Sequence, residues 1–328
     1  MNKFLKYLPP FFGVVFAVLL ILTIKIMFQS PFFNSREETI KDEQRFHFAF
    51  FLPESDYSFF RNLKEGAESA TESMNCSITF HSIDSDPVSL EMAPFSGLDG
   101  VAVYPYKNDE MMLKSLDNIV KAGIPIVQIE NEILRNESTF FIGTNNFESG
   151  KAIGSLALNA KKDKLNIALI YSDKNPGLMS DDNLIEMGML SVLGDRLASL
   201  ETRKTSLNPL DAERLVYELM RKPDLPDIIV LTDPNDTLVT VQAIIDMNMV
   251  GEVQFIGFGD NESIKEYISK DLVLGTIVRN PYRIGYSAVM ALKEICTVGY
   301  TSAYVDTGIS IISEVDPEIS SINGGDNE

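Results

Sequence analysis

Few residues in this chain could carry out covalent chemistry. Only two of its 328 residues are histidine (His47, His81) and two are cysteine (Cys76, Cys296). That is too little for a Cys/His metal centre or a histidine-based catalytic machine. No P-loop occurs, and Gly257-Phe258-Gly259 lacks the third glycine of a dinucleotide loop. Both histidines fall inside strand-like apolar patterns, which suits structural side chains. The chain does offer Asp, Asn, Glu, Arg, Tyr and Phe residues just beyond short apolar runs: 53–60, 104–108, Glu130-Asn131, 172–183, 232–236, 259–261 and Arg279-Asn280. Planar donors and acceptors fork onto hydroxyl pairs, and aromatic faces cover the apolar side of a sugar ring. The expected chemistry is recognition of a polyhydroxylated ligand, with no catalytic residue, cofactor or metal.

The elements that must position these residues follow from hydrophobic periodicity. Phe46–Leu52, Ser77–Phe80, Gly100–Tyr104, Ile124–Ile129, Asn166–Tyr171, Ile228–Leu231, Val253–Gly257 and Val273–Val278 read as short buried strands. Helical spacing links Phe59, Phe60, Leu63, Ala67, Ala70 and Met74, and again Met112, Leu116, Ile119 and Val120, before a stop at Gly123 and Pro125. Further helical patterns cover Ala212–Met220, Thr237–Met247 and Tyr282–Val298. Such alternation builds parallel sheets with helices on both faces. About nine or ten strands are too many for one compact unit of this length, so two doubly wound α/β lobes are expected. In such sheets the ligand sits beyond the carboxyl ends of the strands, where the polar clusters fall.

Charge and the amino terminus place the protein. Apolar residues make up 45% and charged residues 23% of the chain, the balance of a folded protein. Its 28 Lys+Arg against 47 Asp+Glu leave a formal net charge of −19. Lys3, Lys6 and Lys25 are the only charges in the first 34 residues, so the remainder is more acidic still. Such a surface repels a phosphate backbone and argues against nucleic acid. Residues 8–28 read as a transmembrane signal anchor, with Phe11 to Ile24 uninterrupted by charge. The preceding Lys3 and Lys6 put residues 1–7 in the cytoplasm and the carboxyl-terminal domain outside. The exit from the run, Ile26 to Asn34, has bulky residues where a cleavage site needs small ones, and no lipid-attachment cysteine follows. A retained single-pass anchor in the cell membrane is therefore expected, then a linker at 29–45 and a disordered tail at 316–328. Cys76 and Cys296 read as separate thiols rather than a disulfide.

The ordered motifs resemble a known family. Phe59 to Ala67, with its paired aromatics and Gly66-Ala67, resembles the first helix of the type I periplasmic sugar-binding proteins. These are the ribose/galactose/xylose-binding group, whose fold the ligand domains of LacI-type regulators share. Leu98 to Pro105, Ala122 to Val127, Phe141 to Gly150, Phe255 to Asp260 and Gly275 to Pro281 are similar to successive later signposts, so the resemblance runs from about Phe46 to Val315. It implies two lobes joined by a three-crossing hinge: 46–148 with 281–307, and 149–280 with 308–315. A LacI-type regulator itself is excluded, because a membrane span stands where the DNA-binding segment would be.

Carried over position by position, the resemblance implies a ligand site. Phe59 and Phe60 sit where the family stacks aromatics on the sugar ring, and Tyr57 holds a position often polar in relatives. Glu130-Asn131 replaces a common Asp-Arg, and Asn183 replaces an Arg that clamps hydroxyls. Asp233, with Asn235, falls at the family's Asn/Asp, while Asp260 comes one place later than its usual aspartate. Arg279 or Asn280 would hydrogen-bond from the lobe crossing. The chain resembles membrane-anchored members that sense a pentose or hexose and signal to a membrane sensor histidine kinase. The alternative is the substrate-binding component of a sugar ABC transporter, delivering sugar to an ABC permease.

Overall fold

The computed structural model describes residues 45–54, 58–83, 87–105, 110–174, 183–206 and 208–314. The span expected at 8–28, all but the last residue of the linker, Tyr57 and the tail lie outside the described residues. Among the described residues no helix is long and apolar enough to cross a membrane.

Strands and helices alternate. The first half runs β1 (Phe46–Leu52), α1 (Ser58–Met74), β2 (Cys76–Ser82), α2 (Pro87–Met92), β3 (Gly100–Val103), α3 (Glu110–Lys121), β4 (Ile126–Ile129), β5 (Thr139–Gly143) and α4 (Asn146–Ala157). The middle runs β6 (Leu165–Ser172), α5 (Leu184–Leu193), β7 (Leu197–Thr205), α6 (Asp211–Leu219), β8 (Ile228–Leu231) and α7 (Pro234–Asp246). The chain continues through β9 (Gln254–Phe258), α8 (Glu262–Ser269), β10 (Val273–Arg279), α9 (Pro281–Val298), β11 (Tyr304–Asp306) and β12 (Ile309–Ile312).

These strands form two six-stranded sheets, ordered β11-β5-β4-β3-β1-β2 and β12-β10-β9-β8-β6-β7. Every pairing within them is parallel except that of β12 with β10. Alternate residues of each central strand face opposite helical layers, so both faces are apolar. In the first sheet Phe48 and Phe50 face α1 and α9, while Ala49 and Phe51 face the layer holding α3. The second sheet is covered by α4 and α5 on one face and by α6, α7 and α8 on the other. Among the described residues the strands number twelve rather than nine or ten. The sequence conceals β7 because five of its nine residues are exposed and most are polar, as an edge strand allows.

The chain passes between the lobes three times: from β5 into α4, from β10 into α9, and from β11 to β12. The first and third crossings are tied to one another. Thr307 donates its backbone N–H to the Gly143 carbonyl at 2.9 Å, and the Asn145 N–H reaches Asp306 Oδ1 at 3.3 Å. Neither cysteine is in a disulfide: Cys76 lies in the core, and Cys296 donates to the Asp99 carbonyl at 3.4 Å.

Two helix pairs set how each crossing docks. A Cβ at Gly66 on α1 would lie 2.0 Å from the Tyr282 carbonyl oxygen on α9, and one at Gly285 would lie 1.9 Å from that of Leu63. In the second lobe the same holds for α4 and α5: 2.1 Å from Gly150 to the Ile185 oxygen and 2.2 Å from Gly188 to the Phe147 oxygen. Backbone meets backbone at these points, so no side-chain rotation relieves the overlap. Gly285→Ala and Gly188→Ala should each cost about 1–3 kcal/mol, as overpacked cores do. Thermal unfolding of the two variants checks this.

Candidate functional site

Each sheet reverses its strand order once, between β1 and β3 in the first lobe and between β6 and β8 in the second. At such switch points the connections leave in opposite directions and open a crevice beyond the strands. The residues that follow these four strands all reach one interlobe cleft of about 910 Å³. The first lobe contributes Glu54, Ser58, Phe59, Phe60, Asn62 and Tyr104, and the second Lys174, Asp233, Pro234, Asn235, Gly259, Asp260 and Asn261. Arg279 and Pro281 come from the second crossing.

The first-lobe wall is aromatic. Phe60 is buried and meets Tyr104 edge-on at 5.1 Å between ring centres, and Phe59 meets Phe60 at 5.2 Å. Phe59 is only half-buried, and its ring carries the guanidinium of Arg279 at 4.4 Å, a cation–π contact. Arg279 ends β10 in the second sheet, so the contact spans the two lobes. It also reaches Glu130 Oε2 at 3.4 Å, while Glu130 Oε1 accepts from the Thr144 hydroxyl at 2.8 Å. The Glu130 side chain is 0% exposed, and its φ of 61° turns the chain sharply after β4.

The second-lobe wall is built by a helix cap and an ion pair. Asp233 precedes Pro234 at the start of α7, and its Oδ1 accepts from the backbone N–H groups of Asn235 and Asp236, both at 3.0 Å. A carboxylate here satisfies donors that the helix itself cannot. Burial pushes the Asp233 carboxyl above the usual carboxylate range, and the Asp236 carboxylate pushes the same way. The capping N–H groups and the Lys174 ammonium act against both. Lys174 pairs with Asp236 at 2.5 Å, the two side chains only 3% and 2% exposed. Asp236 Oδ2 accepts from the Thr205 hydroxyl at 2.6 Å.

Of the residues expected from sequence, the cleft brings together Phe59, Phe60, Asp233, Asn235, Asp260 and Arg279. Four others do not line it. Glu130 lies behind Arg279, and Asn131 spends its amide on the Pro105 carbonyl at 2.8 Å. Asn183 stands at the exposed start of α5 with φ 49°, and Asn280 caps α9 by accepting from the Arg283 N–H at 2.9 Å. Tyr57 lies outside the described residues. Lys174, Tyr104, Glu54, Ser58, Asn62 and Asn261 line the cleft without having been singled out. Most of them fall in the expected post-strand segments. Lys174 has no distinguishing sequence signal, because its partner lies 62 positions away.

Two parallel-sheet lobes joined by three crossings around a polar, aromatic-walled crevice have the architecture of a two-lobed binding protein. Residues 48–300 match the family model described as Periplasmic binding protein domain, and the chain belongs to that family, with the type I sugar-binding fold. Solved structures agree on the fold. GanP, a glucose-galactose binding protein from Geobacillus stearothermophilus, superposes with a TM-score of 0.72 at 20% identity, covering 84% of this chain and 100% of that one. The Caulobacter myo-inositol binding protein bound to myo-inositol gives 0.70 at 16%, covering 82% and 93%. The XylFII-LytSN complex gives 0.69 at 20%, covering 83% and 99%. By sequence comparison no curated protein matches the chain.

Two outcomes follow from the cleft's electrostatics. Arg279→Ala strands Glu130 as a buried carboxylate and should cost about 3 kcal/mol, whereas Arg279→Met with Glu130→Gln removes both charges and should cost much less. Chemical denaturation of both variants separates them. For Asp233 the folded state holds its proton more tightly than the unfolded one, so this group's contribution is lost as pH rises from the ordinary 3.8 through its raised value. Asp233→Asn keeps the cap and should raise the unfolding midpoint at pH 7, with the gain vanishing below 3.8. A pH series of melting curves reads this directly.

Proposed function

We propose that this protein is a membrane-anchored extracytoplasmic receptor that closes its lobes on a monosaccharide, a pentose or hexose, and signals to a membrane sensor histidine kinase. The observation that carries the reading is the placement of both switch points on one cleft. An aromatic wall on the first lobe faces carboxylates, amides and cations on the second. An aromatic face suits the apolar side of a sugar ring, and the opposite wall supplies the donors and acceptors that hydroxyls need. Family membership supports the sugar class, as do fold relatives that bind glucose and galactose, D-arabinose and myo-inositol. Ligand favours the closed form to the extent that it binds that form better.

Support for signalling comes from the anchor expected at 8–28 and from a relative in fold captured as a two-protein complex, XylFII-LytSN. The proposed lobes are 46–148 with 281–307 and 149–280 with 308–315. Transport is the second reading, favoured by relatives in fold that are components of sugar ABC transport systems. The genes beside this one separate the two: a kinase and response regulator accompany a sensor, a permease and ATPase a transport receptor.

Binding itself is tested by calorimetric titration of the full chain in detergent with D-xylose, L-arabinose, D-glucose, D-galactose and myo-inositol. At least one should bind. Phe59→Ala and Asp233→Ala should each weaken it by about tenfold or more, since each removes a group that touches the ligand. No heat with any sugar would sink the receptor reading.

A further inference from the structure

The second-lobe wall holds hydrogen-bonding capacity that the described residues do not use themselves. An ammonium has three N–H donors, and the Asp236 carboxylate is the one side chain that accepts from Lys174 among the described residues. Lys174 is almost wholly buried yet lines the cleft. Asp233 is 4% exposed and lines the same cleft. Both capping bonds fall on its Oδ1, and Oδ2 has no hydrogen-bond partner among the described residues. Lys174 follows β6 and Asp233 follows β8, the adjacent strands at this lobe's switch point. Donors and an acceptor without partners among the described residues therefore stand on one wall.

We infer that Lys174 and Asp233 form a subsite for a vicinal diol of the ligand, and that Lys174 is the specificity-determining residue of the second lobe. One ligand hydroxyl donates to Asp233 Oδ2 and accepts from Lys174 Nζ, while its neighbour accepts the remaining ammonium proton. A hydroxyl is donor and acceptor at once, so this couple satisfies it where a lone carboxylate or ammonium would not. The geometry is set before ligand arrives. Asp236 fixes the ammonium, Thr205 fixes Asp236, and the α7 cap fixes Asp233, so little ordering is left for binding to offset. The ion pair also gains a reason to be there. A buried pair is often no more stabilising than apolar residues of the same volume, but apolar residues could not hold hydroxyls. A ligand lacking either hydroxyl leaves a donor or an acceptor unpaired in the closed cleft.

The inference rests on the sugar reading, and the test keeps the two apart. Full chain in detergent is titrated with the five sugars above and with each monodeoxy analogue of whichever binds. Lys174→Met alone would strand Asp236, so the charge-neutral pair Lys174→Met with Asp236→Asn is used, its folding verified by circular dichroism. Asp233→Asn, which keeps the cap, is the second variant. Wild type should prefer the parent sugar over one or two deoxy analogues by about 10- to 100-fold. In both variants the parent's affinity should fall to near that of the analogue, erasing the preference at those positions while others persist. If wild type binds sugar and either folded variant keeps the full preference, the subsite is wrong and the receptor reading stands. If wild type binds none of the sugars, both fall together.

Discussion

Backbone-to-backbone contact between helices is the constraint on which this architecture depends. Gly66 and Gly285 let α1 and α9 touch in the first lobe, and Gly150 and Gly188 let α4 and α5 touch in the second. One helix of each pair, α9 or α4, carries the chain in from a crossing. The other, α1 or α5, is the lobe's first helix after its switch-point strand. Seating the crossing helix at the shortest possible distance therefore fixes the crossing relative to the switch point. The aromatic wall of the cleft depends on this at one remove. Phe59 and Phe60 open α1, and Arg279 sits two residues before α9. A helix pair held apart by one methyl group would move the aromatic wall away from the cation that now covers it.

Charge is distributed so that the two cations lining the cleft among the described residues lie against carboxylates set deeper in the protein. Arg279 reaches Glu130, and Lys174 reaches Asp236. Each carboxylate is in turn fixed by a threonine hydroxyl, Thr144 or Thr205. The two assemblies nevertheless do different work. The first links the lobes, because Glu130 belongs to the β4 end of one sheet and Arg279 to the β10 end of the other. The second lies entirely within one lobe. A hinge that closes on ligand must change the first kind of contact and can leave the second untouched.

The sequence is readable where local physics decides. Buried parallel strands must be apolar on both faces, so β1 (Phe46–Leu52) and β8 (Ile228–Leu231) are visible to the residue, and the long helical pattern ending at Val298 is found as α9. Edge strands escape because one flank meets water. β7 carries Glu201, Arg203 and Lys204 and resembles a loop, and β11 is three residues long. The site is legible to the level of segments, since ligand groups must follow strands. Within a segment it is not, because two residues of equal polarity can have opposite fates. Asn131 looks as available as Asn62, yet its amide is held by a carbonyl 26 positions earlier. Lys174 looks like one of many surface lysines until the fold delivers Asp236 beside it.

The raised Asp233 carboxyl completes this picture. Burial, aided by the Asp236 carboxylate, prevails over the opposing capping N–H groups and Lys174 ammonium. A helix cap on an open surface would not meet that cost, because water would solvate the second oxygen. The cost arises because the cap faces a cleft instead of bulk solvent. A ligand hydroxyl donating to Oδ2 would supply the solvation that burial removed, favouring the carboxylate form. On the proposed reading, stability forgone by the buried carboxyl in an empty cleft is returned in part when a ligand hydroxyl reaches Oδ2.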